Sequence, residues 1–270
     1  MSTSLKSDFR LVKWYLDCVT DSGETFIGYV ATLEWKRFKV PYSSTIFLSS
    51  ISESSVVTRM SKPSMPLLNG MQIFWKDYRL KIDGNWQQNH YSIEARLHES
   101  PNGYLHWNCY QPNSIVKLNF RNQKLNGYGY VEMLELTDSP WHIDMATLRW
   151  GRYSSNTDNL VWIQIKGNKT RQWVWLNGNF INNAEVNDKQ IVIPEKDIVL
   201  ELDQSGVIES EQKIFNTVKM IMKYLPGFEK IIPVKFLYSD ETKWRSYGTL
   251  KQKDIVRSKG WAIHELVDFN

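Results

Sequence analysis

Apolar and polar residues alternate with period two along most of the chain. The first half carries KWYLDCVT (13–20), ETFIGYVATLEW (24–35), STIFLSSI (44–51), MQIFWKDYRLKI (71–82), HYSIEARLHE (90–99), YLHWNCYQ (104–111), SIVKLNF (114–120) and GYGYVEMLEL (127–136). The second half repeats the style in LVWIQIKG (160–167), QWVWLNG (172–178), QIVIPE (190–195), DIVLEL (197–202), VKFLYSD (234–240), SYGTLKQ (246–252) and WAIHELVDF (261–269). This is the signature of strands with one buried face. DSG, KVP, IDGN, SPNG and QPN fall within or between the runs and supply turn chemistry. The expectation is an all-β, antiparallel protein. One segment breaks the period. From Glu209 to Leu225, apolar residues at Ile214, Val218, Ile221, Met222 and Leu225 recur at spacings of three and four, and Pro226-Gly227 follows. That spacing predicts one amphipathic helix near the C-terminus.

The pattern also repeats at long range. GYGYVEMLEL lies over GWAIHELVDF at a shift of 133, which sets Glu132 over Glu265. TFIGYVA at 25 matches LVWIQIK at 160, a shift of 135, and Lys13-Trp14 matches Arg149-Trp150 at 136. Three matches at nearly half the chain length predict two tandem β units, 1–136 and 137–270. Closing each into a barrel would remove its exposed edges.

Composition narrows the functional classes. The 33 basic and 29 acidic residues leave a net charge of only +4 with no basic block, so nothing points to nucleic acid. No apolar window is long enough for a spanning helix and the N-terminus has no hydrophobic leader pattern, which predicts a soluble cytoplasmic protein without stable membrane insertion. Cys18 and Cys109 lack metal-ligand or disulfide-framework spacing and read as buried thiols. The five histidines have no HxH or HxxxH spacing, so no metal is expected. With no phosphate loop, nucleophile elbow or dinucleotide fingerprint, no cofactor is expected either. Oligomeric state is left open. The outlier is aromatic content, with 12 Trp, 13 Tyr and 11 Phe.

Candidate chemistry centres on GYGYVEMLEL. On a strand Tyr128, Tyr130, Glu132 and Leu134 share a face. If that face lined a barrel interior, burial would disfavour the charged form of Glu132, and a neutral carboxyl could donate a proton. A structural ion pair with Arg149 or Arg152 is the competing reading, through a hairpin that returns LRWGRY (148–153) against 127–136 after the Pro140-Trp141 turn. On HWNCYQP, Trp107, Cys109 and Gln111 share one face, and His106, Asn108 and Tyr110 the other.

KWYLDCVTDSG, HWNCYQPNS, GYGYVEML and LRWGRY together resemble the two-domain lipocalin-like family of carotenoid 1,2-hydratase (hydroxyneurosporene synthase) and, more distantly, the fungal Diels-Alderases. The resemblance implies two lipocalin-like barrels and a cofactor-independent enzyme. Its substrate would be a small hydrophobic polyene, terpenoid or polyketide-like molecule, hydrated, cyclised or isomerised in an aromatic pocket at or between the barrels. On that reading Glu132 is the acid, Tyr130 its hydrogen-bonding partner and Arg149 an anion or carbonyl clamp. Trp14, Tyr15, Asp17, Trp107, Asn108, Tyr128, Trp141 and Trp150 would bind substrate. This chain departs from the family in carrying Lys13-Trp14-Tyr15 where a Trp-Trp-Tyr is usual. Two other functions fit the same residues: a non-catalytic carrier of an apolar ligand, and a carbohydrate-binding β module with Trp rings on an open face.

Overall fold

The computed structural model describes residues 9–49, 54–59, 63–210, 224, 225, 227, 230 and 232–269. The chain forms two compact units, the first running to Ile143 and the second beginning at Asp144. The first contains β1 (Phe9–Thr20), β2 (Thr25–Trp35), β3 (Phe38–Leu48), β4 (Ser54–Arg59), β5 (Leu67–Asn69), β6 (Gln72–Asp77), β7 (Ile82–Gln88), β8 (Ile93–Ser100), β9 (Gly103–Phe120) and β10 (Gln123–Leu136). The second contains β11 (Thr147–Ser154), β12 (Asn159–Lys166), β13 (Thr170–Leu176), β14 (Asn179–Phe180), β15 (Glu185–Val186), β16 (Gln190–Ile193), β17 (Ile198–Leu202) and β18 (Gly206–Ser210). It continues through a one-turn helix at Val234–Leu237 to β19 (Asp240–Gln252) and β20 (Ile255–Asp268).

The two sheets have the same topology. The first runs β4-β3-β2-β1-β10-β9-β7-β6-β5 with β8 also on β9, and the second runs β14-β13-β12-β11-β20-β19-β17-β16-β15 with β18 on β19. Adding ten to each label converts one order into the other, so the tandem duplication is a property of the fold. Both are curled antiparallel sheets, and among the described residues no rungs join β4 to β5 or β14 to β15. These edge strands are short, with two residues in β14 and two in β15, which limits the unpaired edge they present.

Register corrects two alignments: Val19 pairs with Thr25 and Ser154 with Asn159, so TFIGYVA aligns with NLVWIQI at 159, a shift of 134. Gly127 packs against the backbone of Val19 and Thr20, and Gly260 against that of Ser154 and Ser155; a Cβ would lie 2.0 Å and 2.1 Å from the carbonyl oxygens of Val19 and Ser154. The shift is therefore 133 on the last strand but 135 on the first, and Lys13-Trp14 aligns with Leu148-Arg149 rather than with Arg149-Trp150. Tyr15 pairs with Glu132, and Trp150 with Glu265.

Each sheet curls around its own core. Trp14, Leu16, Phe26, Trp75, Trp86 and Phe120 anchor the first. Tyr153, Trp162, Leu200 and Leu250 belong to the second. Trp75 and Trp86 are fully buried. At roughly 150–250 Å² removed from water per aromatic, each contributes about 4–6 kcal/mol of gross hydrophobic stabilisation.

Several expected turns lie inside strands. KVP falls in β3, where β4 pairs only with Ser43–Leu48, so the missing N–H of Pro41 breaks no rung on that side. IDGN opens β7, because the ring of Trp86 covers Gly84 where a side chain would stand. QPN sits in β9 at two register shifts, and a bulge accommodates Pro112. VKFLYSD, expected as a strand, opens with the one-turn helix. Most of the expected helix at 209–225 lies outside the described residues; its first two residues, Glu209 and Ser210, end β18.

Candidate active site on the second face of the first sheet

Val131 and Met133 pack with the core of the first unit, so the alternate residues of β10, Tyr128, Tyr130 and Glu132, face away from it. The expectation that Glu132 lines the interior of a barrel is overturned. The interior positions of this strand go instead to Leu125, Val131 and Met133.

This second face is nevertheless closed to water in places. Tyr130 and Asp17 are 0% exposed and Tyr15 is 3% exposed, while Glu132 keeps a partly exposed edge. Antiparallel register places Tyr15 opposite Glu132 and Asp17 opposite Tyr130. Each tyrosine bonds the acid two residues along its own strand. The Tyr15 hydroxyl donates to Asp17 Oδ2 at 2.9 Å, and the Tyr130 hydroxyl donates to Glu132 Oε2 at 2.6 Å. The indole Nε1 of Trp107 on β9 donates to the same oxygen of Glu132. Oε2 of Glu132 thus accepts both bonds.

The surround is aromatic. Tyr15 meets Tyr130 edge-on at 5.9 Å and Tyr29 at 5.4 Å, and the Lys13 ammonium lies 4.7 Å from the Tyr29 ring centre. Burial, then the neighbouring Cys109 and Glu132, push the Tyr130 phenol well above its usual range, so it stays protonated as a donor. Burial pushes the Cys109 thiol well up, and that of the Tyr42 phenol, two residues along β3 from Ser44 opposite Tyr29, takes it up to about 12. The site therefore combines two tyrosine–carboxylate pairs, a buried thiol and an indole. A phenol and an indole fix one oxygen of a partly exposed carboxyl among these rings.

Of the residues singled out in the sequence, Tyr15, Asp17, Trp107, Tyr128, Tyr130 and Glu132 share this face. Trp14 faces the core, stacked on Tyr110 at 5.1 Å, and Asn108 lies opposite the core-facing Met133. Trp141 sits in the short turn Pro140–His142 against Phe9. Arg149 and Trp150 belong to the second unit. Their strand pairs with β12 and β20, so the expected hairpin of 148–153 on 127–136 does not form; β10 is already paired with β1 and β9. Arg149 shares the inward face of Tyr153 and donates from Nε to Asp188 Oδ1 at 2.8 Å. Sequence reasoning missed Tyr29 altogether and read Cys109 only as a buried thiol. The β1–β2 hairpin about the DSG turn contained the signal for Tyr29, since counting back from Ser22 pairs it with Tyr15.

Among the described residues no three His, Cys, Asp or Glu side chains gather as a metal site, and no helix is long and apolar enough to cross a membrane.

No family profile and no curated protein matches the chain. Solved structures do. An AttH-type protein of Nitrosomonas europaea superposes with a TM-score of 0.56 at 10% identity, over 97% of this chain and 94% of that one. CghA in complex with Sch210972 gives 0.53 at 9% identity, over 99% and 92%. Kievitone hydratase from Nectria haematococca gives 0.51 at 10% identity, over 99% and 93%. At such identity the likeness establishes the fold: the all-β, two-domain lipocalin-like architecture implied by the sequence motifs is the one these proteins share.

Proposed function

We propose that the chain is a cofactor-independent enzyme acting on a small hydrophobic molecule by hydration, cyclisation or isomerisation, with its chemistry on the second face of the first sheet. The observation that carries the reading is the Tyr130–Glu132–Trp107 arrangement: a carboxyl with one oxygen fixed by two donors and a partly exposed edge, on a face otherwise lined by buried phenols. Kievitone hydratase and CghA, the latter solved with Sch210972, share the fold, which is consistent with this reading.

The proposed step is proton transfer. Glu132, protonated on Oε1, delivers a proton to an alkene or enol carbon of the substrate, and water or a second alkene of the same molecule closes on the resulting cation. Loss of a proton back to the carboxylate restores the acid. Tyr130 fixes the rotamer of Glu132, and the Tyr15–Asp17 pair holds the facing strand. The aromatic walls keep a reactive conformer in place, which by itself accelerates a cyclisation.

The test incubates the protein with a panel of conjugated polyenes and polyene carbonyls and analyses the products by mass spectrometry, with ligand binding followed by tryptophan fluorescence. Gain of one water, or an isomer of unchanged mass and altered retention, is expected, and Glu132→Gln should abolish turnover while binding persists. Binding by the wild type with no product from any member of the panel identifies a carrier and rejects the enzyme reading.

A further inference from the structure

The second unit holds a site that the proposed chemistry does not use. Three turns converge at one end of its sheet: β13 to β14, β16 to β17 and β19 to β20. They line an open cleft of about 520 Å³, within the range of small-molecule sites. Its floor includes Leu176 and Ile198, members of the core, and its walls carry Asn177, Asn179, Gln252 and Arg257.

Arg257 is placed there by a bulge. Leu250 pairs with Ser258 and Lys251 with Val256, so Arg257 is an extra residue without a partner across the ladder. The corresponding hairpin of the first unit runs from Gln123–Phe120 to Gly129–Ser114 with no such shift. A bulge in one copy of a duplicated hairpin re-aims a side chain that the fold itself does not require.

The re-aimed guanidinium meets a prepared partner. Arg257 NH2 lies 2.6 Å from Asp158 Oδ1, and the Asp158 side chain is 0% exposed. Asn177 donates to the same oxygen at 3.0 Å, and Thr157 donates to Oδ2 at 3.0 Å. Burial works against the ionised form, but hydrogen bonds from Asn177, Ser258 and Thr157 and the charge of Arg257 hold the Asp158 carboxyl below its usual range. One buried acid thus orients two wall residues. Arg257 also donates from NH1 to Gln252 Oε1 at 3.3 Å, and Gln252 Nε2 donates to the Lys196 carbonyl.

The lining selects a chemistry. Cations at Lys196, Lys253 and Arg257 are matched by Glu195, Asp197 and the buried Asp158, so the wall offers no net field to an ion. Amides and paired charges present donors and acceptors side by side, which suits hydroxyl groups that do both. An apolar ligand would use none of the remaining donor and acceptor capacity of these groups, and the aliphatic floor suits the C–H face of a ring.

We propose that this end of the second unit binds a neutral polyhydroxylated ring, a sugar or cyclic polyol, with Arg257, Asn177 and Asn179 as its hydrogen-bonding residues. The experiment titrates the full chain with glucose, maltose and myo-inositol by saturation-transfer NMR and calorimetry, with inorganic phosphate as the charged control. At least one polyol should bind, and Arg257→Gln should weaken it by about tenfold or more, the loss of a hydrogen bond from a charged donor. Asn179→Ala, an exposed substitution that leaves the Asp158 network intact, should weaken it several-fold. Binding of phosphate in place of the polyols, equal binding by wild type and both variants, or no binding of any polyol overturns the proposal. Circular dichroism confirms that each variant is folded.

Discussion

Replacing Tyr130 by Phe removes one oxygen from a fully buried ring and leaves its packing otherwise unchanged. The hydroxyl donates at 2.6 Å to Glu132, so in the ionised form that remains after proton delivery its loss deprives a carboxylate of a donor. A hydrogen bond to a charged group contributes about 1.5–3 kcal/mol net. Glu132→Gln keeps an acceptor oxygen but discards the charge that strengthens the bond. The double variant therefore separates the pair from its surroundings: the two losses should fall short of additivity by about 1–2 kcal/mol, inside the roughly 0.5–3 kcal/mol found for contacting residues. Urea unfolding read by hydrogen exchange on β1 and β10 peptides reports the first unit alone. With a slope of about 1–3 kcal/mol per molar urea, Tyr130→Phe should lower the midpoint by about 1 M. If the two substitutions add to within about 0.3 kcal/mol, the pair is not coupled and the site geometry proposed for Glu132 is wrong.

Two predictions concern the second unit. His264 is buried against Ser246 and Trp244, and burial lowers its pKa to about 4 from 6.5. A depressed histidine favours folding while neutral, so stability is full above pH 6.5 and falls as the pH drops toward 4, by up to about 3 kcal/mol. Thermal melts across that window should show the loss, and His264→Gln should flatten it. Lys243, with 3% of its side chain exposed, lies 2.7 Å from Glu265 and 3.1 Å from Glu241. Lys243→Met should cost about 3–5 kcal/mol in denaturant unfolding, and adding Glu265→Gln should recover part of it.

The period-two pattern was enough to read the class of fold, because half-buried strands must alternate. The duplication was legible for the same reason: β10 and β20 keep Gly, aromatic and acid at matching places. What the pattern hid was sidedness. GYGYVEMLEL has apolar residues on both faces, so alternation could not say whether Tyr130 and Glu132 or Val131 and Met133 point to the core; that choice depends on Trp75 and Trp86, contributed by β6 and β7. Turn chemistry misled at Gly84, which is covered by the ring of Trp86 two residues along the same strand, and at Pro112, which a bulge accommodates. Arg149 was misplaced because adjacency along the chain was read as pairing, whereas each sheet joins its first strand to its last.

The same topology sharpens the case for Glu132. Glu132 and Glu265 occupy equivalent positions opposite Tyr15 and Trp150, so an acid on this rung was retained in both copies. An acid required only by the architecture would be expected to keep its partners as well, and it did not. Glu265 is bound by the ammonium of Lys243, its neighbour across the ladder, whereas the neighbour of Glu132 in that register is Cys109 and its donors are a phenol and an indole. Asp17 and Arg152, likewise equivalent under the shift of 135, have opposite charges and are both fully buried. A lysine–glutamate pair fixes its charge in place, whereas the phenol and the indole on Glu132 are neutral donors. The two copies thus diverge on a shared rung, and it is Tyr130 and Trp107, more than the acid they hold, that distinguish them.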